Sequence, residues 1–124
     1  MKITPNNFYE MMAQESYWKI NIKIAREIGI KPALLLSDLI DKYNYNRYRD
    51  CLTEDEYFPY TQKEIEKETF IKPTSQKRIV NKLETLKLIS TKMKSTNNNY
   101  ISHSLHFKIN EQEVIKLLKN NKED

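Results

Sequence analysis

The spacing of apolar residues divides this chain into segments of helical and of strand period. Phe8, Met11 and Met12 fall on one helical face, behind Thr4 as an N-cap and Pro5 as a first helical residue. Trp18, Ile20, Ile22 and Ile24 alternate with polar residues, the period of a strand. The same stretch also fits a helix capped by Asn21, with Ile24, Ala25 and Ile28 inward and Gly29 as its stop. The reading adopted is a short strand near 17–20 followed by that helix. Pro32 then opens a helix to about Tyr45, with Leu35, Leu36, Leu39, Ile40 and Tyr43 as a wide apolar stripe.

The second half changes period twice. Tyr57-Phe58-Pro59-Tyr60 reads as a short edge strand, because proline cannot donate within a central one. Thr61-Gln62-Lys63-Glu64 is a capping box: the Thr hydroxyl accepts a backbone N–H while the Glu carboxylate reaches back, fixing a helix start at residue 61 or 62. Phe70-Ile71-Lys72 interrupts the pattern, and Pro73 suits the first position of a new helix running to about Leu86. Leu88-Ile89 enters a strand that carries Lys92 and Lys94 on one face, and residues 95–99 turn the chain. In the returning strand Leu105, Phe107 and Ile109 share one face, with Ser104, His106 and Lys108 on the other. Asn110-Glu111-Gln112-Glu113 reads as a second capping box, opening a last helix packed through Val114, Ile115 and Leu118 with Leu117 alongside. Acids near its start and Lys116, Lys119 and Lys122 towards its end match the helix dipole.

Length and composition narrow the classes. At 124 residues the expectation is one domain: a helical extension over 1–16, a core over 17–109 and a C-terminal helix over 110–124. No apolar run approaches the roughly 20 residues of a membrane span, and the first residues lack a signal-peptide apolar core. The lone Cys51 excludes an internal disulfide, which fits a reducing cytoplasm. A single glycine, Gly29, excludes glycine-rich phosphate loops. Net charge is only +4, but residues 72–94 carry seven bases against the one acid Glu84, and residues 50–60 carry four acids and no base. That distribution suits a polyanion at one face.

The helix beginning at Pro73 has the composition of a recognition helix. At 100° per residue Ile79, Val80, Leu83 and Leu86 gather on one side, and Thr74, Lys77, Arg78, Asn81 and Thr85 on the other. Gln76 lies towards the buried side. A helix fits the major groove, where base edges carry the sequence code. Arg78 suits a guanine edge or a phosphate through paired hydrogen bonds, Asn81 an adenine edge, and Lys77 a phosphate. Thr74 and Thr85 suit phosphates, with Lys82 completing the helix's cationic set. Lys92 and Lys94, ahead of Asn97, Asn98 and Asn99, have the make-up of a wing that reaches the backbone or minor groove.

These elements give an α+β, mostly α, fold class: a winged helix-turn-helix with flanking N- and C-terminal helices. Residues 18–110 resemble the winged helix at the N-terminus of phage and plasmid replication proteins, the DnaD-type primosome proteins and phage replisome organisers among them. The resemblance rests on Ile-Gly-Ile-Lys-Pro-Ala-Leu-Leu-Leu-Ser-Asp-Leu-Ile from Ile28 and on the entry from Tyr57 to Gln62. It continues through Lys82-Leu83-Glu84-Thr85-Leu86-Lys87-Leu88-Ile89 and ends on His106-Phe107-Lys108-Ile109-Asn110. Glu66, Thr69 and Phe70 stand where such domains carry Ala, Leu and Gly, Gln76 where an apolar residue is usual, and Lys87 where Gly is usual. These departures bear on the angle between the two helices, and Lys87 calls for a left-handed backbone.

The resemblance implies duplex DNA as partner, replication initiation or replisome organisation as role, and oligomerisation through the flanking helices, with replication proteins as further partners. Two other readings share the core: a transcriptional regulator, and a protein-interaction module that binds no DNA. No cofactor or metal is expected: on a strand His103 and His106 face opposite sides, and Cys51 is remote from both. Glu64, Glu66 and Glu68 read as a solvated face rather than as acid–base groups, so no enzyme activity is expected.

Overall fold

The computed structural model describes residues 5–14, 18–95 and 103–119. Among the described residues, six helices and three strands follow in the order α1 (Pro5–Gln14), α2 (Ile22–Ile28), α3 (Ile30–Tyr48), β1 (Phe58–Pro59), α4 (Gln62–Thr69), α5 (Pro73–Thr85), β2 (Ile89–Ser95), β3 (His103–Ile109) and α6 (Glu111–Lys119). The class is α+β and mostly helical, with an antiparallel sheet in the order β1-β3-β2. β2 and β3 form a hairpin that pairs Ile89 with Ile109, Thr91 with Phe107 and Met93 with Leu105. The short β1 adds to its free edge through Phe58 opposite Phe107. Pro59 there needs no ladder donor, as an edge position allows.

α3 is the centre of the fold, packed against α2, α4, α5 and the sheet. Leu35, Leu36 and Leu39 of α3, Phe58, Phe107 and Ile89 of the sheet, Ile65 of α4 and Leu83 of α5 bury almost completely in one core. Gly29 joins α2 to α3 at φ 99°, a backbone region nearly closed to side chains. Its N–H closes α2 on Ala25 O while its carbonyl accepts from Ala33, so one residue ends a helix and begins the next. α3 therefore starts two residues ahead of Pro32 and runs three past Tyr45. Asn21 caps α2 as expected, accepting from Ile24 N at 3.0 Å.

Two expectations are corrected. Residues 18–20 form no strand. Trp18 instead donates its indole N–H to Glu68 O at 2.9 Å, so this segment follows the end of α4 rather than the sheet. Asn110 does not cap its own helix, because its side-chain amide donates to the Lys87 carbonyl (2.8 Å) and lies against the Ser90 hydroxyl. α6 is held instead by Glu111, which accepts from Tyr43 Oη at 2.7 Å and Arg47 Nη1 at 3.1 Å on α3. Thr4, residues 96–99 of the expected hairpin turn and Lys122 lie outside the described residues.

Candidate nucleic-acid interface

The α4–α5 unit is built from local chemistry. Thr61 accepts from Glu64 N (3.1 Å) and Glu64 accepts from Thr61 N (3.0 Å), completing the capping box. Pro73 opens α5. Between the helices, the residues that depart from the usual pattern supply the fastening. Thr69 is buried; its hydroxyl donates to Ile65 O at 2.7 Å and accepts from Ile71 N at 3.2 Å. Phe70 takes the left-handed turn at φ 61°, exposed, with the Trp18 ring edge-on at 5.5 Å. Gln76 is only 2% exposed and donates its amide to both Gln62 O (3.0 Å) and Ile71 O (2.8 Å). Two facing carbonyls demand the NH₂ there, so one side chain ties the start of α4, the turn and α5 at a fixed angle. Lys87 has the expected positive φ, 63°, as the chain leaves α5 for β2.

Ile79, Val80 and Leu83 bury, which turns Thr74, Lys77, Arg78, Asn81, Lys82 and Thr85 to solvent; Leu86, expected on the buried side, lies past the last turn of α5 and is exposed. These six do not all stand in the same state. Thr85 Oγ1 donates back to Asn81 O at 2.8 Å, and Lys82 Nζ donates to Ile28 O at 2.8 Å, across to the end of α2. Among the described residues, Lys77 and Arg78 make no ion pair and no side-chain hydrogen bond. Beside them, between α5, the start of α4 and the near face of the hairpin, runs an open groove of about 770 Å³. Tyr60, Val80, Met93, Leu105 and Phe107 line it, and Lys77 and Asn81 stand along its α5 side.

The hairpin lysines are arranged differently. Thr91, on the near face, donates to Glu84 Oε2 of α5 at 2.9 Å. Lys92 and Lys94, one residue either way from Met93, project from the far face, where the acidic loop after α3 meets them. Asp55 Oδ2 accepts from Lys92 at 2.8 Å and Asp55 Oδ1 from Lys94 at 2.9 Å. Both ammonium groups also lie over the Tyr57 ring, 4.7 and 5.1 Å from its centre. The hydrogen bond from Lys92, then those from Thr53 and Lys94, holds the Asp55 carboxyl well below the usual carboxylate range. The same contact raises Lys92 above its ordinary value. The structure thus gathers the α5 candidates on one exposed face and sets Lys92 and Lys94 apart on another, already paired. His106, expected on the outer side of its strand, is buried, opposite Pro59 and Lys92 in the sheet.

The Asp55 contact escaped the sequence reading, although the opposite charges of the 50–60 and 72–94 stretches were its signal. Nothing in their order says that two lysines rather than seven bases meet one acid rather than four. Burial also acts on Tyr60, whose hydroxyl donates to Asp38 on α3; desolvation and that carboxylate raise the phenol, and desolvation raises Asp38.

No protein-family model matches this chain, and no curated protein does. Two solved structures share its fold over all or nearly all of their length. One is the N-terminal domain of a DNA-binding protein, 18% identical, with all of this chain and 98% of that one aligned at a TM-score of 0.57. The other is a Rep–DNA complex, 15% identical, with both chains covered completely at a TM-score of 0.56.

Proposed function

We propose that this chain is a winged helix-turn-helix protein that binds duplex DNA by laying the exposed face of α5 in the major groove. The observation that carries the reading is the state of Lys77 and Arg78: two exposed cations without partners among the described residues, on a helix whose opposite face is locked into the core. Cations left unpaired beside Thr74 and Asn81 are what phosphates and base edges would engage. The fold likeness to a DNA-binding protein's domain and to a Rep–DNA complex supports the same partner. With the DnaD-type resemblance it favours a role in replication initiation of a phage or mobile element. Thr85 and Lys82 are assisting contacts in this reading.

The test is duplex affinity against salt. With Lys77, Arg78 and Lys82 neutralising about three phosphates, affinity should fall by about forty-fold between about 50 and 200 mM salt. Affinity that ignores salt would remove the mechanism. Footprints at origin-like repeats rather than promoters would separate replication from transcriptional control.

A second reading has an observation of its own. α1 packs against no other described element, and it exposes Phe8, Tyr9, Met11 and Met12. A ten-residue helix is marginal alone in water, which favours self-association through this extension alongside DNA binding. Sedimentation of the whole chain against one lacking residues 1–16 tests it: an unchanged mass would exclude α1 from any assembly.

A further inference from the structure

Asp55 sits where two lysines need an anion. Its two carboxylate oxygens each take one ammonium, Lys92 at 2.8 Å and Lys94 at 2.9 Å. The unbridged oxygens of a phosphodiester would use the same donors at similar distances. The carboxylate is held by a closed turn rather than offered by a loose loop. Thr53 N donates to Tyr57 O at 3.0 Å, Tyr57 N donates to Thr53 Oγ1 at 2.9 Å, and Glu56 N donates to Thr53 O at 2.9 Å. The Thr53 hydroxyl in turn donates to Asp55 Oδ1. All three charged side chains remain partly exposed, so a polyanion has access to the lysines and must compete with Asp55 for them. Among the described residues, Lys77 and Arg78 face no such competitor.

We propose that Asp55 is an intramolecular stand-in for a DNA phosphate, occupying the hairpin lysines and so limiting how many phosphates the chain neutralises. The proposal rests on the duplex-DNA reading of α5. Sequence-independent affinity grows with each phosphate neutralised, whereas base readout does not. An internal anion on the hairpin therefore weakens indiscriminate binding and leaves discrimination to Arg78 and Asn81.

The experiment titrates a short random-sequence duplex over about 50 to 200 mM salt with the whole chain, each variant checked for its melting transition. Asp55→Asn keeps the shape and removes the charge. It is expected to bind roughly five- to fifty-fold tighter at low salt, with the log–log salt slope steeper by about one to two. Asp55→Glu, which keeps a carboxylate, should restore the wild-type slope, and Lys92→Gln with Lys94→Gln should cancel the gain of Asp55→Asn. A folded Asp55→Asn that binds as wild type does, or more weakly, overturns the proposal and marks the contact as a staple for the loop. Should Asp55→Asn not fold, Asp55→Ser decides on the same readout: a slope steeper by about one to two upholds the stand-in, and an unchanged slope overturns it. Should wild type bind no duplex at the lowest salt, binding gained by Asp55→Asn upholds both the α5 reading and this proposal, and continued silence overturns both.

Discussion

The exposed face of α5 and the far face of the hairpin carry the same kind of charge in opposite condition. On α5, Lys77 and Arg78 stand unpaired among the described residues, on a helix whose other side is core. On the hairpin, Lys92 and Lys94 are drawn onto one carboxylate and one aromatic ring. Counting bases along the chain treats the two sets alike; the tertiary structure separates them by what stands opposite. A cation's readiness to meet an anion depends on the partner it must give up, so a basic patch is better described by its unpaired members than by its net charge.

The contrast depends first on α5 being a rigid platform. Leu83 is fully buried behind the exposed face, and Leu83→Ala should lower stability by about 2–5 kcal/mol in denaturant melts. Should that loss be absent, the core would not be what presents Lys77 and Arg78. The next largest effect separates the two regions directly. Arg78→Ala is expected to weaken duplex binding by about 1–3 kcal/mol with the fold intact, while Lys92→Ala, whose ammonium is already paired with Asp55, should leave it close to wild type. Equal losses in parallel anisotropy titrations would erase the distinction. Thr61→Ala should cost about 1 kcal/mol of stability through the lost cap of α4. Its DNA affinity should hold, since Thr61 caps α4 and contributes nothing to the exposed side of α5.

The smallest effect concerns pH. Asp55 is held below its ordinary value of 3.8, so the unfolded chain takes up that proton more readily than the folded one. Its contribution to stability is therefore complete above the ordinary value and is lost as pH falls towards the folded one. Wild type should lose melting temperature relative to Asp55→Asn as pH is lowered from about 5 to about 2. Parallel curves would mean that the Lys92 and Lys94 contacts are too loose in solution to perturb the carboxyl.

The helical faces of α5 and the cap of α4 were legible because both depend on residues within a few positions of one another. Thr61 and Glu64 must meet if a helix begins there, and a period of 3.6 sends Ile79 and Leu83 inward wherever the helix packs. The strand expected near 17–20 failed for the opposite reason. Alternation permits a strand, but a strand needs a partner, and the sheet's edge was taken by Phe58 while Trp18 bonded to α4. Asn110 failed likewise: its amide found the Lys87 carbonyl, 23 residues back and near in space.

By itself, the sequence determined the order of helices and strands from α2 to α6, the two-helix unit and the five side chains, Thr74, Lys77, Arg78, Asn81 and Thr85, that share the exposed face of α5. Periodicity, capping and proline geometry act over distances shorter than one element, so they survive without knowledge of the fold. Only the tertiary structure decided that Gln76 sets the angle between α4 and α5, that Lys82 turns to the end of α2, and that Asp55 claims Lys92 and Lys94. Each of those contacts joins side chain to backbone or charge to charge across elements, and Coulomb attraction and hydrogen bonding reward whichever partner the packing brings within 3 Å or so.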